Sequence, residues 1–182
     1  REAAATRPGG IAELVRVVIV PTAAARGRPD IAASNGVEAL RGRGSVIGIP
    51  VWADIALAVD ESSADDPELA ELIGAADLVY LPGGDPDLIP GLLIGSAVGK
   101  AMGEALQAGT LLAGASAGAM GLAEWTWTTG GGIPGLGFVP GLAVFPHYDE
   151  ARREAWQKNL EPIAPADLGY LGFDERTGVI SE

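Results

Sequence analysis

Short apolar runs alternate along the chain with stretches of helical spacing. The β-branched run over 15–20 ends at Pro21 and is typical of a strand covered on both faces. Similar runs predict strands over 46–53, 78–81, 111–113, 142–145, 168–173 and 179–181. Helical spacing predicts helices over 30–40, 66–75, 97–108, 117–123 and 150–160, the first two capped by Asp30 and Asp66. The alternation predicts an α/β fold with a mostly parallel sheet.

The length of 182 residues fits one domain of ordinary size, which we place over 1–182. The chain begins at Arg1 without a methionine and ends soon after a predicted strand. We therefore leave open whether native N- and C-terminal segments are missing from this domain.

Charge and hydropathy narrow the choice of partners. The chain has 12 Lys and Arg against 24 Asp and Glu, a net charge of −12 that disfavours nucleic acid. No apolar run approaches the ~20 residues of a membrane span, and no signal peptide is visible. We expect a globular protein that binds neither nucleic acid nor membrane, with the cytoplasm as its default location.

Two counts restrict the chemistry. Because the chain has no cysteine, it has no disulfide, thiolate zinc site or cysteine nucleophile. Its single histidine, His147, makes a multi-histidine metal site impossible, and we expect no metal. Any histidine base must be this residue.

The segment GASAG over 114–118 fits the motif G-x-S-x-G and lies between a predicted strand and a predicted helix. A sharp turn there lifts the hydroxyl of Ser116 clear of the sheet, and the start of the helix offers N–H groups to an oxyanion. The alternative is a glycine-rich turn with an incidental serine. The flanking strand and helix favour the nucleophile.

His147 follows a predicted strand and a proline, so it lies at the sheet edge where α/β proteins bind ligands. Ser116 also follows a strand. A lone histidine is most often a surface or structural residue, but a serine nucleophile needs a base within hydrogen-bonding reach. We therefore take His147 as the candidate base.

The third member of such a site is a carboxylate that orients the imidazole. The candidates are Glu124, the pair Asp149 and Glu150, and the pair Asp174 and Glu175. The last pair is favoured because it also follows a predicted strand. The alternative for that pair is an ordinary charged turn.

Three further features have a functional and a structural interpretation. The segment PGGD over 82–85 is either a second source of oxyanion donors or an ordinary turn. Trp125 and Trp127 either line a binding pocket or only pack against other residues of the protein. Arg152 and Arg153 either bind a substrate carboxylate or form a solvated helix face.

Five motifs occur in the order seen in the peptidase E and cyanophycinase family of serine peptidases: YLPGGD (80–85), AGASAGAM (113–120), GLGFVPG (135–141), FPHYDE (145–150) and LGFDERTGV (171–179). The chain resembles this family over about 15–182. The resemblance implies a flavodoxin-like three-layer α/β sandwich related to glutamine amidotransferases. It also implies Ser116 as nucleophile, His147 as base and Glu175 as acid, with backbone N–H groups of Gly84 and Ala117 as oxyanion donors.

The order of the site residues separates this family from a rival fold. α/β-Hydrolases place the acid between serine and histidine, where Glu124 is the only acid here. The chain also departs from the family it resembles. It lacks the family's glycine-rich first strand, ends soon after the G-x-D-E motif, and has Pro86 where cyanophycinase-like members have glutamine.

These observations give three functional hypotheses. The first is a serine exopeptidase acting on short peptides without a cofactor, through a Ser-His-Glu triad and an acyl-enzyme. Asp-Xaa dipeptides are its candidate substrates, with Arg152 as candidate ligand of the aspartate. The second is an esterase or amidase using the same triad, and the third is an inactive domain that binds a small ligand. All three hypotheses are compatible with a homodimer.

Overall fold

A computed structural model describes residues 14–160 and 163–180. Its strands are β1 (Val15–Ile19), β2 (Val51–Ile55), β3 (Leu78–Leu81), β4 (Leu111–Gly114), β5 (Ala123–Thr128), β6 (Gly131–Pro134), β7 (Val139–Pro146) and β8 (Gly169–Phe173). Its helices are α1 (Pro29–Ile47), α2 (Glu61–Ala64), α3 (Pro67–Gly74), α4 (Leu88–Leu93), α5 (Ala97–Gln107), α6 (Ala117–Leu122) and α7 (Glu150–Leu160).

The first sheet is entirely parallel and has the order β2-β1-β3-β4. This is the start of the strand order of flavodoxin-like folds. Alternate residues of β1 face opposite sides of this sheet. Val17 and Ile19 pack with Ala33 of α1, whereas Val18 packs with Ile73 of α3 and Met102 of α5. Helices therefore cover both faces, and the predicted three-layer α/β fold with a mostly parallel sheet is confirmed.

The second sheet has the order β6-β5-β7-β8 and is antiparallel only between β5 and β6. An aromatic cluster attaches α7 to it. The ring of Trp156 lies 5.3 Å from the ring of Trp127 and 5.3 Å from that of Phe145. Phe145 also stacks on Tyr170 of β8 at 5.6 Å. These contacts, together with the backbone pairing of β7 and β8, hold the end of β7 and the start of α7 beside β8.

The predicted strand over 46–53 is wrong in its first half. Helix α1 continues to Ile47 and ends at Gly48, which has the left-handed φ of 75° that favours glycine. Val46 and Ile47 are 80% and 67% exposed, so their apolar character reflects no burial. The strand begins only at Val51.

Two other local predictions also differ from the structure. Asp30 lies inside the first turn of α1, where Arg28 occupies the N-cap position, because Pro29 already opens the helix. Of the strand predicted over 179–181, residues 179–180 form no strand, and Ser181 lies outside the described residues. Within the described residues, no helix has both the length and the apolar character required to cross a membrane.

Candidate active site

Ser116 lies in the tight turn between β4 and α6, with φ 51° and ψ −119°. The flanking glycines make this turn possible. A methyl group on Gly114 would lie 2.5 Å from the N atom of Ala119, and one on Gly118 would lie 2.0 Å from the carbonyl oxygen of Leu81. Both contacts are with backbone that cannot move aside. The two glycines of the motif are therefore required by close packing of α6 on β3 and β4.

The imidazole of His147 approaches the serine from the end of β7. Its Nε2 lies 3.0 Å from Oγ of Ser116. The backbone of His147 is in the left-handed region, with φ 57°. Because β7 pairs with β8, the next backbone N–H, that of Tyr148, donates to the carbonyl of Phe173 at 3.1 Å. The histidine is thus held beside the C-terminal end of β8.

A carboxylate meets the other ring nitrogen. Oε1 of Glu175 is hydrogen-bonded to Nδ1 of His147. Glu175 lies in the turn after β8, which is closed by the N–H of Thr177 donating to the carbonyl of Asp174 at 3.2 Å. Oδ1 of Asp174 accepts from the N–H of Glu175 at 2.7 Å. Asp174 therefore supports the turn, and Glu175 reaches the imidazole.

Two other carboxylates considered from the sequence have backbone partners elsewhere. Oε2 of Glu124 accepts from the N–H of Gly141 at 2.6 Å. Oδ1 of Asp149 accepts from the N–H of Arg152 at 2.8 Å, at the start of α7. Glu150 is the first residue of that helix. Among the predicted candidates, the structure thus brings Glu175 to His147.

The segment over 82–85 lies directly beside the serine. A methyl group on Gly83 would lie 3.1 Å from Cβ of Ser116. The 3₁₀ turn Thr22–Ala24, which follows β1, supports this segment from behind. The N–H of Asp85 donates to the carbonyl of Ala23 at 2.7 Å, and a methyl group on Gly84 would lie 2.1 Å from the same oxygen.

Two backbone N–H groups, those of Ala117 and Gly84, are the predicted oxyanion donors. Ala117 is the first residue of α6, so its N–H has no carbonyl acceptor within the helix. Gly84 is exposed and has φ 156°. Ala117 directly follows Ser116, and Gly84 follows Gly83, which lies beside Cβ of Ser116. The role of these two N–H groups as oxyanion donors stays a prediction.

An ion pair joins the same two loops at the surface. The guanidinium of Arg26 lies 2.9 Å from the carboxylate of Asp87 and 3.6 Å from that of Asp85. The hydrogen bond with Asp87 raises the pKa of Arg26 above its ordinary value. Sequence inspection did not identify this pair, since a pairing across 61 positions leaves no local signal.

The remaining sequence candidates contact other side chains of the protein. Trp125 is buried and Trp127 packs edge-on against Trp156, so these tryptophans belong to the aromatic cluster. Nε of Arg152 lies 3.5 Å from the carboxylate of Asp149. Within 14–160 and 163–180, no group of three or more acidic or histidine side chains could hold a metal.

A serine on a sharp strand-to-helix turn, hydrogen-bonded to an imidazole that meets a carboxylate, is typical of serine hydrolases. The sequence model of Peptidase family S51 matches residues 12–177, and the chain belongs to this family. The family resemblance drawn from the five motifs is thereby confirmed.

Solved structures agree with this fold. A peptidase from an acI-B1 Actinobacterium superposes with a TM-score of 0.71 at 26% identity, covering 88% of this chain and 67% of that one. A peptidase E candidate from Listeria monocytogenes EGD-e superposes with a TM-score of 0.62 at 19% identity, covering 91% of this chain and 79% of that one. The second likeness concerns the fold alone. No curated protein matches the sequence.

Proposed function

We propose that the protein is a serine exopeptidase that cleaves short peptides through Ser116, His147 and Glu175. The observation that carries the proposal is the chain of two hydrogen bonds from Oγ of Ser116, 3.0 Å from Nε2 of His147, through the ring to Glu175. Membership of a peptidase family supplies the class of bond. The role of each residue follows from the chemistry of acyl transfer.

The first half of the reaction forms an acyl-enzyme. Nε2 of His147 takes the proton of the Ser116 hydroxyl while Oγ attacks the carbonyl carbon of the scissile peptide bond. Glu175 accepts the hydrogen bond from Nδ1–H and stabilises the imidazolium that forms. The imidazolium then gives its proton to the leaving amine, the C–N bond breaks, and the acyl group remains on the serine.

The second half repeats these proton transfers with water. His147 takes a proton from a water molecule whose oxygen attacks the acyl carbon, and it returns that proton to Oγ as the ester bond breaks. In both halves the N–H groups of Gly84 and Ala117 would stabilise the tetrahedral oxyanion. Two contacts support this assignment: a glycine at 84 allows the close approach to Ala23, and the neighbouring Gly83 lies beside Cβ of Ser116.

Asp-Xaa dipeptides are the proposed substrates, with Arg152 binding the aspartate side chain. Arg152 lies in the first turn of α7, five positions after the histidine, and its guanidinium is more than half exposed. It contacts Asp149 at 3.5 Å. A substrate carboxylate would therefore compete with Asp149 for the guanidinium, and exchange of one carboxylate for another costs little at an exposed site.

The test measures hydrolysis of Asp-Xaa and Ala-Xaa dipeptides and of simple esters by the native protein, Ser116→Ala and Ser45→Ala. Ser45 is an exposed serine of α1 and serves as the matched control. We expect peptide hydrolysis that falls by ~10³-fold or more in Ser116→Ala alone. Equal activity of Ser116→Ala and the native protein would overturn the triad. Hydrolysis of esters without peptides would instead support an esterase.

A further inference from the structure

The pairing of β5 with β7 is irregular. Ala123 pairs with Val139, and two residues later Trp125 pairs with Ala143, four residues further along β7. β7 therefore contains two more residues than β5 between these pairs. We interpret this offset as a β-bulge, a feature that redirects the strand that carries the additional residues. Here that strand ends immediately before His147.

The sequence of β7 explains where the bulge forms. Pro140 has no N–H to give to a ladder, and Gly141 adopts the left-handed φ of 72° that favours glycine. The N–H of Gly141 is turned away from the regular pairing and donates to Oε2 of Glu124 at 2.6 Å. Glu124 stands between the two paired residues of β5. Its carboxylate thus accepts the backbone N–H that the bulge leaves outside the ladder, at an exposed point of the sheet.

We propose that Glu124 is a positioning residue, whose carboxylate holds the bulge of β7 so that His147 reaches Ser116. The consequence for catalysis rests on the proposed function; the consequence for geometry does not. A strand advances by ~3.3 Å per residue, so removal of a two-residue bulge displaces the end of β7 by ~6–7 Å. The hydrogen bond of 3.0 Å between Ser116 and His147 tolerates no such displacement.

The contact between Glu124 and Gly141 joins the two segments whose relative position sets the distance between Ser116 and His147. Ser116 precedes α6, which leads directly into β5, and His147 directly follows β7. Glu124 is the second residue of β5 and Gly141 the third of β7. Hydrogen bonds between a carboxylate and a backbone N–H are stronger than neutral ones. The contact therefore favours one register of β5 against β7, at the point where the register shifts.

The kinetic test compares Glu124→Ala, Glu124→Gln and Glu71→Ala. Glutamine keeps an oxygen acceptor, and Glu71 is an exposed carboxylate of α3, so its variant controls for loss of charge. We expect kcat to fall ~10–100-fold in Glu124→Ala with KM within about threefold, since misplacement of a catalytic group acts on the chemical step. Glu124→Gln should recover most of kcat. Equal kcat in Glu124→Ala and Glu71→Ala, or no recovery in Glu124→Gln, would overturn the proposal.

A second measurement separates this proposal from the proposed function. Since the chain has one histidine, the imidazole ¹⁵N resonances of the folded protein report on His147 alone. We expect Ser116→Ala to shift the Nε2 resonance in the native background and to leave it unchanged in the Glu124→Ala background. An equal shift in both backgrounds would overturn the positioning role. If the native protein cleaves no peptide while the two backgrounds still differ, the positioning role holds and the proposed function fails.

Discussion

Oε1 of Glu175 is hydrogen-bonded to Nδ1 of His147 although the two residues lie 28 positions apart. His147 follows β7, and Glu175 lies in the turn after β8. The contact depends on the turn after β8. Asp174 accepts the N–H of Glu175 at 2.7 Å, which fixes the backbone and directs the longer side chain toward the imidazole. Two adjacent carboxylates thus have different tasks, one within the turn and one at the ring.

This division predicts different outcomes for two conservative substitutions. In the proposed mechanism Glu175→Gln removes the negative charge that stabilises the imidazolium, and we expect kcat to fall ~10²–10⁴-fold. Asp174→Asn keeps an oxygen acceptor for the turn, and we expect kcat within about fivefold of the native value. Steady-state kinetics on the substrate for which the native protein is most active in the test of the proposed function provide the measurement. A larger loss in Asp174→Asn than in Glu175→Gln would assign the acid to Asp174 instead.

Gly118, which lies two positions after Ser116 at the start of α6, offers a test of packing. A methyl group there would meet the carbonyl oxygen of Leu81 at 2.0 Å, so Gly118→Ala should lower the free energy of unfolding by about 2–3 kcal/mol. Gly42, inside α1, has no atom within 4 Å of an added methyl group, and Gly42→Ala should raise it by about 0.5–1 kcal/mol. Urea denaturation measures both. Equal stability of the two variants would show that α6 moves away from β3 without cost.

The capping box of α2 predicts a dependence of stability on pH. The N–H of Ser63 donates to Asp60 and holds the pKa of that carboxyl below its ordinary value. A folded-state pKa that is depressed stabilises the fold above the unfolded pKa, and this contribution is lost as the pH falls through the folded value. Asp60→Ala should therefore be less stable than the native protein near neutral pH, and the difference should shrink in acid.

Urea denaturation at ~pH 7 and ~pH 3 checks this expectation, because an unperturbed aspartate titrates between them. Glu71→Ala, within α3, is the control for loss of one carboxylate. If the difference between the native protein and Asp60→Ala instead grows on acidification, the capping carboxylate does not stabilise the fold in its charged form.

Much of the fold follows from local sequence pattern. The run over 15–20 gives β1 because alternate valine and isoleucine side chains pack on both faces of the sheet. Asp66, Pro67 and Glu68 begin α3 as predicted, with Asp66 accepting the N–H of Glu68 at 2.8 Å. The hydrophobic pattern does not predict where a helix ends if the end depends on the conformation of one residue. Gly48 ends α1 after the apolar Val46 and Ile47, which sequence alone assigns to a strand.

Part of the candidate site can likewise be predicted from local sequence, and part depends on how distant strands pair. The tight turn that carries Ser116 can be recognised from sequence, because the glycines two positions before and after the serine are both required by close backbone contacts. The choice among the carboxylates is not local, since it depends on how β8 lies against β7. The role of Glu124 is also beyond sequence reasoning, because its partner, the N–H of Gly141, becomes available only when β5 and β7 pair out of step.

The three non-glycine residues of positive φ among residues 14–160 and 163–180 are Ser116, His147 and Arg176, the last adjacent to Glu175. Such conformations cost of order 1–3 kcal/mol each. Selection of sequences for thermal stability alone would therefore favour glycine at 116 and 147, and would remove the proposed nucleophile and base. Stabilising substitutions that spare the site must instead be sought where the backbone is relaxed, as at Gly42 of α1.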